Sequence, residues 1–86
     1  MEYSVELTPA AARQLRKLDR QVQVRMYAHL KGLQDDPRPP GVIQLRGTSE
    51  TLHRIREGDY RIIYIIEDDL LLVLVVRIAH RSEAYR

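Results

Sequence analysis

The stretch from Tyr60 to Ile78 constrains this chain more than any other part of it. It is apolar at nearly every position apart from Arg61, the acid cluster Glu67, Asp68 and Asp69, and Arg77. Two β segments, residues 60–67 and 70–78, turning at Asp68 and Asp69, fit that pattern. Strands without polar alternation need at least partial cover on both faces, so they belong in a sheet with other elements laid over it. The acid cluster interrupts the run well short of the roughly 20 apolar residues that a membrane-crossing helix requires.

The first half supplies the cover. Tyr3, Val5 and Leu7 alternate with Ser4 and Glu6, the period of a strand with one buried face. Thr8 followed by Pro9 is a helix start, because the hydroxyl caps free N–H groups and proline suits the first helical position. A helix over residues 9–18 turns Ala11, Leu15 and Leu18 inward and leaves Arg13, Arg16 and Lys17 in water. A second helix, residues 20–34, places Val22, Met26, Leu30 and Leu33 on one stripe, so the two pack as a hairpin. Three prolines and a glycine make residues 36–41 a loop. Residues 42–45 form a short strand, and residues 52–57 form a longer one that ends near Gly58. With 86 residues the chain has room for one core, so a single domain over residues 1–86 is expected. The predicted fold is α+β: an N-terminal strand and a two-helix hairpin packed on a mainly antiparallel twisted sheet, in the order β-α-α-β-β-β.

Several chemistries are excluded. There is no cysteine, which removes disulfides, thiolate metal sites and thiol nucleophiles and suits a reducing cytoplasmic setting. His29, His53 and His80 lie far apart without an acid at ligand spacing, so no metal site is expected. No glycine-rich phosphate loop is present, and Ser82 lacks a nucleophile elbow. Residues 1–7 lack the basic and apolar regions of a signal peptide. No small-molecule cofactor is expected, and a small domain favours a shallow site on an open face.

A net charge of +2 says little, but the placement of the charges says more. Arg54 and Arg56 are two apart on one strand and so share a side of the sheet. A two-residue turn, Glu57 with Gly58 or Gly58 with Asp59, brings Arg61 to that side, opposite Arg54 or Arg56 respectively. The second hairpin, turning at Asp68 and Asp69, pairs Arg61 with Val76 and Tyr60 with Arg77, which sends Arg77 to the other side. Arginine's planar fork of donors matches phosphate oxygens, and no lysine follows Lys31. The structural alternative has these arginines solvated and paired with Glu57, Asp59 and Glu50. Residues 80–86, His-Arg-Ser-Glu-Ala-Tyr-Arg, concentrate proton-transfer and phosphate-binding groups at the end of the last strand. Taken singly, His80 also suits a plain surface histidine and Tyr85 a packing aromatic.

These residues compose a pattern: Leu45-Arg46-Gly47, then Leu52-His53-Arg54-Ile55-Arg56-Glu57-Gly58-Asp59-Tyr60-Arg61-Ile62-Ile63-Tyr64, then Val76-Arg77-Ile78-Ala79-His80-Arg81-Ser82-Glu83-Ala84-Tyr85. The pattern resembles the RelE/ParE toxin superfamily of type II toxin–antitoxin systems, in its RelE-like branch, over nearly the whole chain. The resemblance implies a RelE-like fold and an endoribonuclease that cuts mRNA in the ribosomal A site. It implies a metal-free route in which the ribose 2′-hydroxyl attacks the adjacent phosphate. Carried over by position, Arg46, Arg54 and Arg56 would bind phosphates, Arg61 would stabilise the transferring phosphoryl group, and Arg81 would sit near the leaving oxygen. Tyr85 would stack on a base or take the 2′-hydroxyl proton, with His80 as the alternative acid or base. Some relatives carry lysines at the positions of Arg54 and Arg56. Arginine is a poorer proton donor, so both are read as binding groups. The implied partners are a cognate antitoxin and the mRNA-bearing ribosome. A ParE-like inhibitor of DNA gyrase is the rival reading within the superfamily, and a non-catalytic RNA- or antitoxin-binding module is the rival outside catalysis.

Overall fold

The computed structural model describes residues 2–45 and 51–84. The chain runs β1 (Ser4–Leu7), α1 (Pro9–Arg16), α2 (Arg20–Asp35), β2 (Ile43–Leu45), β3 (Leu52–Glu57), β4 (Tyr60–Glu67), a 3-10 turn (Asp68–Leu70), β5 (Leu72–His80) and α3 (Arg81–Ala84). The five strands form one sheet in the order β1-β5-β4-β3-β2. β1 lies parallel to β5, and every other neighbour is antiparallel. The architecture is therefore the α+β arrangement expected from the sequence, with a mixed sheet and one added helical turn at the end. No helix among the described residues is long and apolar enough to cross a membrane.

Local chemistry accounts for the main boundaries. The Thr8 hydroxyl accepts from the Ala11 N–H at 3.2 Å while Pro9 occupies the first turn of α1. Gly58 takes a φ of 59°, open to glycine at little cost, and makes the two-residue turn between the paired residues Glu57 and Tyr60.

α1 and α2 pack on one face of the sheet. Ala11 and Leu15 of α1 and Met26, Leu30 and Leu33 of α2 meet Ile55, Ile62, Tyr64, Val73, Val75 and Ile78 in one core. Leu18 and Val22, also expected inside, pack half-buried at its margin. Tyr64 is wholly buried, and its hydroxyl donates to the Pro37 carbonyl at 2.8 Å, tying the proline loop to the core. At the far end of the sheet Arg38 grips Asp68 through two bonds of 3.2 and 2.9 Å, and the Tyr3 hydroxyl donates to the same carboxylate at 2.6 Å. These donors hold the Asp68 carboxyl down at about 2.

The other face is the one turned away from α1 and α2. Ile63, Ile65, Leu72 and Leu74 lie there half-buried, so the second cover that the apolar strands call for is missing from this part of the chain.

The β4–β5 register departs from expectation in two ways. Asp68–Leu70 forms a 3-10 turn and Leu71 takes a left-handed φ of 48°, so the connection is four residues long instead of two. That change slides β5 by an even number of positions and by itself leaves every side chain on its expected face. The second departure is a β-bulge. Tyr64 pairs with Val75 but Ile63 pairs with Arg77, leaving Val76 without a partner. One extra residue reverses the alternation, so Val73 and Val75 before it and Ile78 after it all reach the core.

Candidate nucleic-acid interface

The bulge corrects the expected position of Arg77. The sequence register paired it with Tyr60 and sent it to the far side, whereas it lies opposite Ile63 and shares with Arg61 the face turned away from α1 and α2. Two rows cross that face. One runs from Arg56 on β3 to Arg61 on β4 and Ala79 on β5. The next runs from Arg54 to Ile63 to Arg77. Four guanidinium groups thus share one sheet face, with Arg56 opposite Arg61 as the Gly58-Asp59 turn requires.

The carboxylates that might have neutralised these arginines are engaged elsewhere. Glu57 lies on the helix face, where it accepts from Arg25 Nε at 3.2 Å and meets His29 Nε2 at 2.8 Å. Asp59 approaches Arg81 Nε at 3.9 Å. Glu50, the third expected partner, lies outside the described residues. Among the described residues no carboxylate pairs with Arg54, Arg56, Arg61 or Arg77. Like charges facing each other across strands destabilise a sheet, so the arrangement costs stability for which the fold shows no internal return.

Arg61 differs from its neighbours. Only 2% of it is exposed, its Nη1 donates to the Tyr60 carbonyl at 3.1 Å and the Gly58 carbonyl at 3.5 Å, and its Nε is buried without a partner. The Nε of half-buried Arg54 is likewise unpartnered. Arg56 and Arg77 are exposed. The face therefore combines cations locked in the sheet with cations free to move.

The C-terminal residues divide. Arg81 begins α3 beside the β3–β4 turn, where its N–H donates to the Asp59 carbonyl at 2.6 Å, and its side chain is exposed. His80 is opposite Tyr60, which places it on the helix face, away from Arg61. Its ring meets Tyr60 edge-on at 5.3 Å, and Nδ1 accepts from the Ser82 N–H at 3.3 Å with the Ser82 hydroxyl 3.0 Å away. His80 lines a groove with Gln14, Lys17 and Leu18 and is not brought together with the arginines. Arg46 and Tyr85, expected as a phosphate contact and as a base, lie outside the described residues. Arg77 is the residue that the sequence reading left off this face. Its one available signal was that a lone charge in an otherwise apolar strand must reach solvent, and only the uncovered face offers it.

Residues 5–85 match the family described as "ParE toxin of type II toxin-antitoxin system, parDE". The chain is 38% identical over 85 residues to "Toxin RelE" of Mycobacterium tuberculosis, covering 98% of this chain and 87% of that protein. It is 32% identical over 87 residues to "Toxin RelG" of the same organism, covering 100% and 99% respectively. Among solved structures it superposes with a TM-score of 0.84 and 28% identity on a chain of the archaeal RelE-RelB complex from Pyrococcus horikoshii OT3, covering 95% of this chain and 98% of that one.

Proposed function

We propose, from the premise that this chain belongs to the ParE/RelE toxin family of type II toxin–antitoxin systems, that it is a ribosome-dependent endoribonuclease that cuts mRNA in the A site. The observation that carries the reading is the sheet face turned away from α1 and α2, with four guanidinium groups and no carboxylate partner for any of them among the described residues. A polyanionic strand laid across it supplies the missing negative charge, and arginine forks bind phosphate oxygens in pairs.

In the proposed reaction the ribose 2′-oxygen attacks the adjacent phosphorus and the bond to the next nucleotide's 5′-oxygen breaks. The products are a 2′,3′-cyclic phosphate and a free 5′-hydroxyl. Arg61, fixed by the Gly58 and Tyr60 carbonyls, suits charge stabilisation on the transferring phosphoryl group, because a preorganised cation needs no rearrangement as the charge develops. Arg56 and Arg54 hold the backbone, and Arg81, at the turn end of the sheet, stabilises the leaving 5′-oxygen, which takes its proton from solvent water. Tyr85 is assigned the 2′-hydroxyl proton. A phenol has a pKa near 10 in water, so this role requires cations beside it. Arg46 is assigned a further phosphate. His80 is the less favoured acid or base, because it sits on the opposite face from Arg61.

A cognate antitoxin is the second proposed partner, in line with the complex in which the archaeal relative was solved. The half-buried Ile63, Ile65, Leu72 and Leu74 beside the arginines offer it an apolar footing.

Primer extension on mRNA from translating ribosomes, with naked RNA and gyrase supercoiling as parallel assays, tests the reading. Cleavage on ribosomes is expected, and Arg61→Ala should lower it roughly 100-fold or more while the fold is kept. The ParE description of the matched family keeps gyrase inhibition as the alternative. Supercoiling loss without mRNA cleavage would establish that activity and end the nuclease proposal.

A further inference from the structure

We infer that Arg77 is an additional phosphate contact of this face, aimed there by the bulge at Val76, and that it binds the phosphate next to the scissile one. The inference rests on the nuclease reading and adds a residue and a subsite to it.

Geometry separates two subsites. The Arg56–Arg61 row lies next to the β3–β4 turn, where Arg81 begins α3 against the Asp59 carbonyl, so the groups assigned to the bond being cut gather at that end. The Arg54–Ile63–Arg77 row lies two residues further along the strands, a step of about 7 Å. Arg54 and Arg77 stand two strand spacings apart, about 9.5 Å, with half-buried Ile63 between them. A single strand that leaves the Arg56–Arg61 row can place its next phosphate between these two cations and a sugar or base on Ile63.

The bulge is braced by Thr8 and Gln14, which lie outside the sheet. The Thr8 N–H donates to the Val75 carbonyl at 2.9 Å, the Thr8 hydroxyl to the Val76 carbonyl at 3.2 Å, and the Ile78 N–H to Gln14 Oε1 at 2.8 Å. Thr8 and Gln14 thus satisfy three backbone groups of β5 around the bulge, where β1 has ended, and brace the reversal of alternation. Its result is one exposed guanidinium, without a carboxylate partner among the described residues, on the face where three others already sit. Solvation puts it on this face, and a polyanion crossing the face gives the fourth cation there a partner.

Single-turnover mRNA cleavage on programmed ribosomes, measured against toxin concentration at several salt concentrations, tests this with Arg77→Gln and Arg77→Lys. Because Arg77 is exposed, both variants should melt with the wild type. Arg77→Gln is expected to raise the half-saturating concentration about tenfold while the saturated rate stays within about twofold. The slope of log affinity against log salt should become shallower by about 0.7, one phosphate on a single strand. Arg77→Lys should recover most of the affinity. An unmoved half-saturation and salt slope, with the wild type cleaving, would overturn the inference and leave the nuclease reading intact. Loss confined to the saturated rate, or to antitoxin affinity, would overturn it too. Absence of cleavage by the wild type at any concentration would remove both.

Discussion

Replacing Gln14 with alanine deletes the oxygen that accepts the Ile78 N–H at 2.8 Å, just past the bulge in β5. Ile78 is almost completely buried, and an unsatisfied buried N–H costs about 1–3 kcal/mol. Two features pull the figure to the lower end. Gln14 and Ile78 line an open groove with Lys17, Tyr60 and His80, through which water can reach the orphaned group. Alanine also returns a few tenths of a kcal/mol as the better helix former within α1. The net loss is about 0.5–1 kcal/mol, which for a domain of this size lowers Tm by about 2–8 °C. Gln14→Glu keeps an acceptor at the same place and should melt closer to the wild type. Thermal and denaturant unfolding of the three proteins measures this, and cleavage assays should show weakened half-saturation for the alanine variant as Arg77 loses its aim. Coincident melts for alanine and wild type, or a glutamate variant no better than alanine, would refute the idea that Gln14 holds the bulge.

Two further outcomes follow from the core. His53 is 5% exposed, stacked on Tyr64 at 5.6 Å, and neither ring nitrogen has a partner, so burial first and the Arg38 charge second push its pKa down from the usual 6.5. The unfolded chain then binds the proton more readily, so stability is full above about pH 6.5 and falls as pH drops below it, by at most about 1.4 kcal/mol per pH unit. His53→Phe should flatten that slope in denaturant melts between pH 7.5 and 5, and an unchanged slope would place the titrating group elsewhere. Burial raises the Tyr64 phenol to about 12, so it stays protonated and donates to Pro37 across the working pH range. Tyr64→Phe should cost about 1 kcal/mol in urea unfolding with cleavage unaffected, and a neutral result would mean that the bond to the proline loop contributes nothing.

The sequence carried the architecture well wherever periodicity and turn chemistry agree. Thr8-Pro9 marked the start of α1, the Met26, Leu30 and Leu33 stripe marked the buried side of α2, and Gly58 marked the turn that sets Arg56 against Arg61. What it could not show lies in β5. From Leu70 to Val76 every residue is apolar, so neither a turn that takes up Leu70 and Leu71 nor an unpaired Val76 leaves a trace in the hydrophobic pattern. Arg77 was misplaced for that reason alone. The near-complete burial of Arg61 was equally hidden, because strand alternation fixes a side chain's direction but says nothing about how its neighbours close around it. His80 illustrates the reverse. Its nearness in sequence to Arg81 suggested a shared site, and one residue of alternation on a paired strand was enough to part it from Arg61.

The hydrogen bond from Thr8 to Val76 spans 68 positions, and β1 closes the sheet against the same late strand. Such distant pairing delays folding. It also sets an order during synthesis, since Arg77 and Arg81 are added after Arg54, Arg56 and Arg61. Until β5 has been made, β1 has no strand to pair with, and Arg54, Arg56 and Arg61 stand without the strand that carries Arg77.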